Sequence, residues 1–98
     1  MLHSPDEPIH PGRILFDDFV VDFDLSAETI AAETGIPLGV LQNLERGEAS
    51  VTAEIALRLA RYFSTSPEFW LNLQRTFDLA VASKTITGID QIKPVAAA

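Results

Sequence analysis

The chain has 98 residues and no cysteine, which fits one small domain and excludes a disulfide framework or thiol chemistry. Hydrophobic residues make up 47%, too many for a chain disordered throughout. Fourteen acids against seven bases leave a net charge of −7, the wrong sign for a generic nucleic-acid binder and one that favours a basic protein partner.

Residues 1–9 read as a flexible tail broken by Pro5 and Pro8. The spacing of Ile14, Leu15, Phe19 and Val20 predicts a first helix over 12–21, after His10-Pro11-Gly12. Asp22, Phe23 and Asp24 form a link. Ser26 can cap a second helix, in which Ile30 and Thr34 share a face beside the small Ala31. Gly35 ends that helix, because glycine enters the left-handed conformation cheaply. Ile36 plugs the corner, Pro37 takes the first position of a third helix, and Val40, Leu41 and Leu44 face inward. Two short helices joined in this way form a helix-turn-helix, the unit that lays its second helix in a DNA major groove. Thr52 caps a fourth helix, Ala53 to Phe63, with Ile55, Leu59, Tyr62 and Phe63 as its apolar stripe. Ser66 and Pro67 start a fifth helix that runs to about Ser83 and is apolar around much of its girth. The helical domain thus spans 10–83. Residues 84–98 form a C-terminal extension, in which Thr85-Ile86-Thr87 ahead of Gly88 has the composition of a short strand and Pro94 to Ala98 fray.

The face of the third helix that would meet DNA carries Leu38, Gly39, Gln42, Asn43 and Arg46. A side-chain amide at Gln42 or Asn43 suits adenine, whose N6 and N7 it can bond together. Arg46 has the reach for phosphate or guanine, and Arg13 on the first helix for phosphate. The bland alternatives are two exposed amides and a surface ion pair from Arg46 to Glu45 or Glu48. Leu38 and Gly39 offer no hydrogen bonds. Between Leu25 and Ser50 stand four acids, Glu28, Glu33, Glu45 and Glu48, against Arg46 alone. Because DNA affinity rests largely on neutralised phosphates, the expected binding is weak.

The stretches His10-Pro11-Gly12-Arg13-Ile14-Leu15, Thr52 to Phe63 and Ser66-Pro67-Glu68-Phe69-Trp70-Leu71-Asn72-Leu73-Gln74 resemble HigA-type antitoxins of the XRE helix-turn-helix family, over residues 10–80. The resemblance implies an all-α fold: a five-helix, lambda-repressor-like DNA-binding domain with the helix-turn-helix at helices two and three. It implies a homodimer that binds an operator palindrome and neutralises an mRNA-cleaving toxin, here a basic toxin protein. Against the family pattern, Ala27, Leu38 and Gly39 stand where polar residues are usual. Arg46-Gly47-Glu48-Ala49 stands where the family loop is basic.

The apolar surface of the fifth helix, Phe69, Trp70, Leu73, Phe77 and Val81, is wider than one core face needs, and the expected dimer interface is built by that helix and the segment after it. Aromatics such as Trp70 and Phe77 are more often plain core than partner contacts. His3 and His10 have no further ligand nearby at metal spacing, so no metal or other cofactor is expected, and no nucleophile or phosphate loop points to catalysis. No apolar run is long enough to span a membrane, and the acidic, proline-bearing start is unlike a secretory signal, so the cytoplasm is the expected location. Two readings remain at this point: an antitoxin and regulator that binds operator DNA, or a helix-turn-helix scaffold that has lost DNA binding and acts as a protein interaction module.

Overall fold

The structure is a computed structural model that describes residues 8–95; the expected flexible tail lies almost wholly outside the described residues, as does the end of the expected frayed terminus. Five helices pack around one core, and no strand occurs among the described residues.

Helix α1 comprises Pro11–Ile14, a π-helical turn at Leu15–Phe19 and a last turn at Val20–Asp22. Its start is built by His10, whose Nδ1 accepts from the Gly12 N–H at 3.0 Å, followed by Pro11 at the first helical position. The wide π turn carries Leu15 into the core, where it is 1% exposed, and packs Phe16, Phe19 and Val20 against it. Phe19 becomes an aromatic hub, with ring centroids 4.9 Å from Phe63 and 5.0 Å from Trp70.

Helix α2 is Ala27–Thr34 and α3 is Leu38–Glu45. Ser26 caps α2 by accepting from the Thr29 N–H at 3.1 Å, and Gly35 ends it at φ 78°. Ile36, Leu41 and Leu44 fill the corner, each at most 1% exposed, while Val40 is half-buried. Pro37 differs from expectation by one position. Its ψ of 140° lies outside the helix, so it is the N-cap of α3 rather than its first residue.

Helix α4, Ala53–Phe63, is capped by Thr52 and buries Ala56, Leu59, Ala60 and Phe63, with Ile55 and Tyr62 at the edge of the stripe. Helix α5, Pro67–Thr85, starts with Ser66 accepting from the Phe69 N–H at 3.1 Å. It runs two residues past the expected end, which corrects the reading of Thr85-Ile86-Thr87 as a short strand. Thr85 Oγ1 donates to the Val81 carbonyl at 3.2 Å inside the helix, and the segment has no described strand to pair with. Gly88 then turns the chain at φ 80° into a 3-10 turn at Ile89–Gln91. No helix among the described residues is long and apolar enough to cross a membrane.

Candidate nucleic-acid interface

The two ends of α3 are held by different chemistry. At its entry, Thr34 Oγ1 donates to the Ile30 carbonyl at 2.6 Å and accepts from the Ile36 N–H at 3.1 Å, bridging the turn with one hydroxyl. Arg58 of α4 adds a guanidinium, Nη1 donating to the Thr34 carbonyl at 2.8 Å, which satisfies an orphaned acceptor at the end of α2.

At its exit, α1 and α5 close in. A Cβ on Gly12 would stand 1.8 Å from the Leu44 carbonyl oxygen, so only glycine lets α1 lie this close to the backbone of α3. His10 is 7% exposed, packs edge-to-face on Phe77 with centroids 4.9 Å apart, and hydrogen-bonds the backbone of Ala49. Burial holds its imidazole below the usual histidine range, against the opposing pull of the Ala49 bond and the Asp78 carboxylate. Gln74, 6% exposed, accepts from the Val51 N–H at 2.7 Å and donates to Asp78 Oδ1 at 2.9 Å. The loop after α3 is therefore pinned at Ala49 and Val51 by side chains from outside the helix-turn-helix. Gly12, His10 and Gln74 escape the sequence reading as site-building residues. A glycine at a helix start and a lone amide in the apolar stripe of α5 were the available signals.

The face so held is the one carrying the expected DNA residues. Gln42 and Gly39 are exposed, and Leu38 and Asn43 are half-buried at its edge. Arg46 is exposed but tied back: Nη2 donates to Asn43 Oδ1, and Nε lies 3.4 Å from Glu48 Oε1. Arg13 pairs with Asp17 at 3.3 Å. Arg13 and Arg46 line one cleft of about 490 Å³ together with His10, Asp17 and Glu45. Two further arginines do not reinforce them: Arg58 serves the turn and pairs with Glu54 at 3.4 Å, and Arg61 lines a separate cleft with Glu33 and Tyr62. By charge alone this is an acidic face with two restrained bases.

The expected dimer residues divide. Trp70 is 0% exposed, and its indole Nε1 donates to Thr65 Oγ1 at 2.8 Å, so it is a core residue and not available to a second chain. Phe77 is half-buried against His10, and Leu73 is half-buried at the edge of the core. Phe69 and Val81 are each 37% exposed. Further along α5 and in the segment after it, which the sequence reading also gave to the dimer, Leu79, Ile86, Ile89 and Ile92 are between 51% and 71% exposed.

Residues 21–70 match the helix-turn-helix family. Virulence-associated protein I of Dichelobacter nodosus is 34% identical over 87 residues, covering 89% of this chain and 81% of that protein. Among solved structures, antitoxin GraA in complex with its operator superposes with a TM-score of 0.86 at 36% identity, covering 99% of this chain and 100% of GraA. Pseudomonas aeruginosa antitoxin HigA with the higBA promoter superposes with a TM-score of 0.80 at 36% identity, covering 92% of this chain and 100% of that one.

Proposed function

Because the chain belongs to the helix-turn-helix family, we propose that it is a HigA-like antitoxin and transcriptional regulator, a homodimer that binds operator DNA and neutralises a basic toxin protein. The observation that carries this reading is the likeness, over nearly the whole chain, to an antitoxin solved on its operator. It favours the regulator over the interaction module, although the charge of the face taken alone points the other way. The work of the protein is binding, not catalysis, and its place is the cytoplasm, where its DNA lies.

In this reading α3 enters the major groove. Gln42 and Asn43 meet base edges, with Leu38 and Gly39 at the leading turn, and Arg46 and Arg13 meet phosphates on either side of their shared cleft. Binding requires Arg46 to leave Glu48, which keeps the affinity low and strongly dependent on salt. The dimer seam lies along the outer half of α5 and the segment after it. Val81 and Phe69 contribute as the sequence suggests, with Leu73 and Phe77 behind them, and Leu79, Ile86, Ile89 and Ile92 supply the rest of the apolar surface. For the toxin, the acids Asp18, Asp22 and Asp24 around the exposed Phe23 offer a face of the right sign for a basic protein.

The test is a titration of the full chain on the duplex upstream of its own gene, against a mixed-sequence duplex of equal length, from low to physiological salt. The reading expects preference for the upstream duplex at low salt, and a log–log slope of about −0.9 per phosphate contacted. Equal affinity for the two duplexes at every salt concentration would return the lead to the interaction module.

A further inference from the structure

Gly39 has no reason within the chain to be glycine. Its backbone is ordinary helix, because no left-handed φ occurs there, so conformation does not require it. A Cβ at Gly39 would meet nothing within 4 Å, so packing does not require it either. An exposed glycine inside a helix costs stability relative to alanine. What remains is close approach by something outside the chain. Gly12, in the same molecule, shows the contrasting case, a helical glycine whose missing Cβ is filled by a neighbouring backbone.

The surroundings of Gly39 limit what that visitor is. Leu38 precedes it in the same turn and is half-buried. Neither residue offers a polar side chain at the leading turn of α3. The nearest base along the helix is Arg46, two turns away and bonded to Asn43 and Glu48, and Arg58, beside the turn from α4, is committed to the Thr34 carbonyl and to Glu54. Gln42, exposed one turn on, shares the face with both residues. In the major groove only one base-edge group is apolar, the C5 methyl of thymine.

Resting on the operator-binding reading, we infer that Leu38 and Gly39 form a methyl-reading notch that requires a thymine at one position in each half-site, with Gln42 directed to the neighbouring base pair. The absence of a Cβ at Gly39 lets the helix backbone close on the methyl group, and Leu38 covers its flank. Residues without hydrogen-bonding capacity then contribute specificity where the acidic face contributes little affinity.

The experiment begins with selection of duplexes from a randomised pool by the full chain. Each thymine of the selected site is then replaced by deoxyuridine, which lacks only the methyl group. One thymine per half-site, at symmetric positions, should cost about three- to five-fold in affinity on replacement, the worth of one buried methyl. Gly39→Ala should raise the melting temperature yet bind the thymine site several-fold more weakly, and it should lose the response to deoxyuridine. Leu38→Ala should lose that response as well. A selected site indifferent to deoxyuridine at every position overturns the inference and leaves operator binding standing. So does Gly39→Ala that binds as tightly as the parent and keeps the deoxyuridine response. A pool in which no sequence is enriched overturns the operator reading, and the inference with it.

Discussion

The entry and exit of α3 are held on opposite principles. At the entry, Thr34, Gly35 and Ile36 close the turn within a few residues of one another, and Arg58 only fastens it from outside. At the exit, Gly47 at φ 74° and the Glu48 N–H, donating to the Asn43 carbonyl at 2.7 Å, close the helix end locally, but the loop beyond is held by distant side chains. Gly12 leaves the space that the Leu44 carbonyl fills, His10 takes Ala49, and Gln74 takes Val51 across 23 positions of sequence. The comparison teaches that a helix-turn-helix specifies its own corner, whereas the direction in which its second helix points is fixed by the rest of the domain. Substitutions at the exit should therefore cost more than substitutions at the entry.

The largest effect is expected at Gly12→Ala. The added carbon meets a backbone carbonyl, which cannot swing aside, so α1 must lift from α3. Overpacking of this kind costs about 3 kcal/mol. For a domain of this size that is a fall in melting temperature of roughly 10–20 °C, readable by circular dichroism. Gln74→Leu comes next. It leaves the Val51 N–H buried without an acceptor, at about 2 kcal/mol, measurable as a lower urea midpoint with an unchanged slope. Gly35→Ala at the entry should cost less, about 1 kcal/mol. The penalty is the left-handed φ of 78°, while the atom in the way is the tip of the Arg58 side chain, which can move. If Gly35→Ala proves as damaging as Gly12→Ala, the contrast between the two ends fails.

His10 gives the exit a pH dependence that the entry lacks. Burial holds its imidazole below the ordinary value of 6.5 in the folded chain, so the unfolded chain takes up the proton first. The contribution of neutral His10 is therefore complete above that ordinary value. It is lost as the pH falls below 6.5 towards the folded value. His10→Asn keeps a capping acceptor but cannot titrate. Its stability should fall less steeply between about pH 7 and pH 5.5 than the parent's, as followed by urea denaturation at each pH. Equal slopes in the two proteins would remove His10 from the account.

The same contrast explains what the sequence makes legible. Ser26, Gly35, Ile36, Leu41 and Leu44 lie within one short window, and their spacing alone places the corner correctly. Pro37 was misplaced by one position because both N-cap and first-turn proline satisfy the same fixed φ, and only ψ separates them. Thr85 and Ile86 are β-branched and suggest a strand, but propensity yields where no neighbour exists to pair with and a helix is already propagating into them. Trp70 and Phe69 are adjacent in sequence yet divide between core and surface, because successive residues of a helix lie about 100° apart around its axis and only Trp70 faces the core. Gly12, His10 and Gln74 were out of reach for a simpler reason: their partners are distant in sequence, and each satisfies a backbone group that has no signature of its own. The acids around Arg46 were legible as charge. That Glu48 and Asn43 hold the guanidinium back required the structure.

The smallest effect on stability, and the most direct test of the central claim that the α3 face meets DNA, belongs to the pair Glu45→Lys and Glu48→Lys. Both residues are exposed, and exchanging them should move stability by less than about 0.5 kcal/mol. The exchange turns two negative charges into two positive ones and releases Arg46 from its ion pair. If the face approaches DNA, the folded double variant binds a mixed-sequence duplex severalfold more tightly than the parent at low salt, and the gain fades as salt rises. A double variant that melts like the parent and binds that duplex no better at low salt would show that this face does not approach DNA, and would contradict the account.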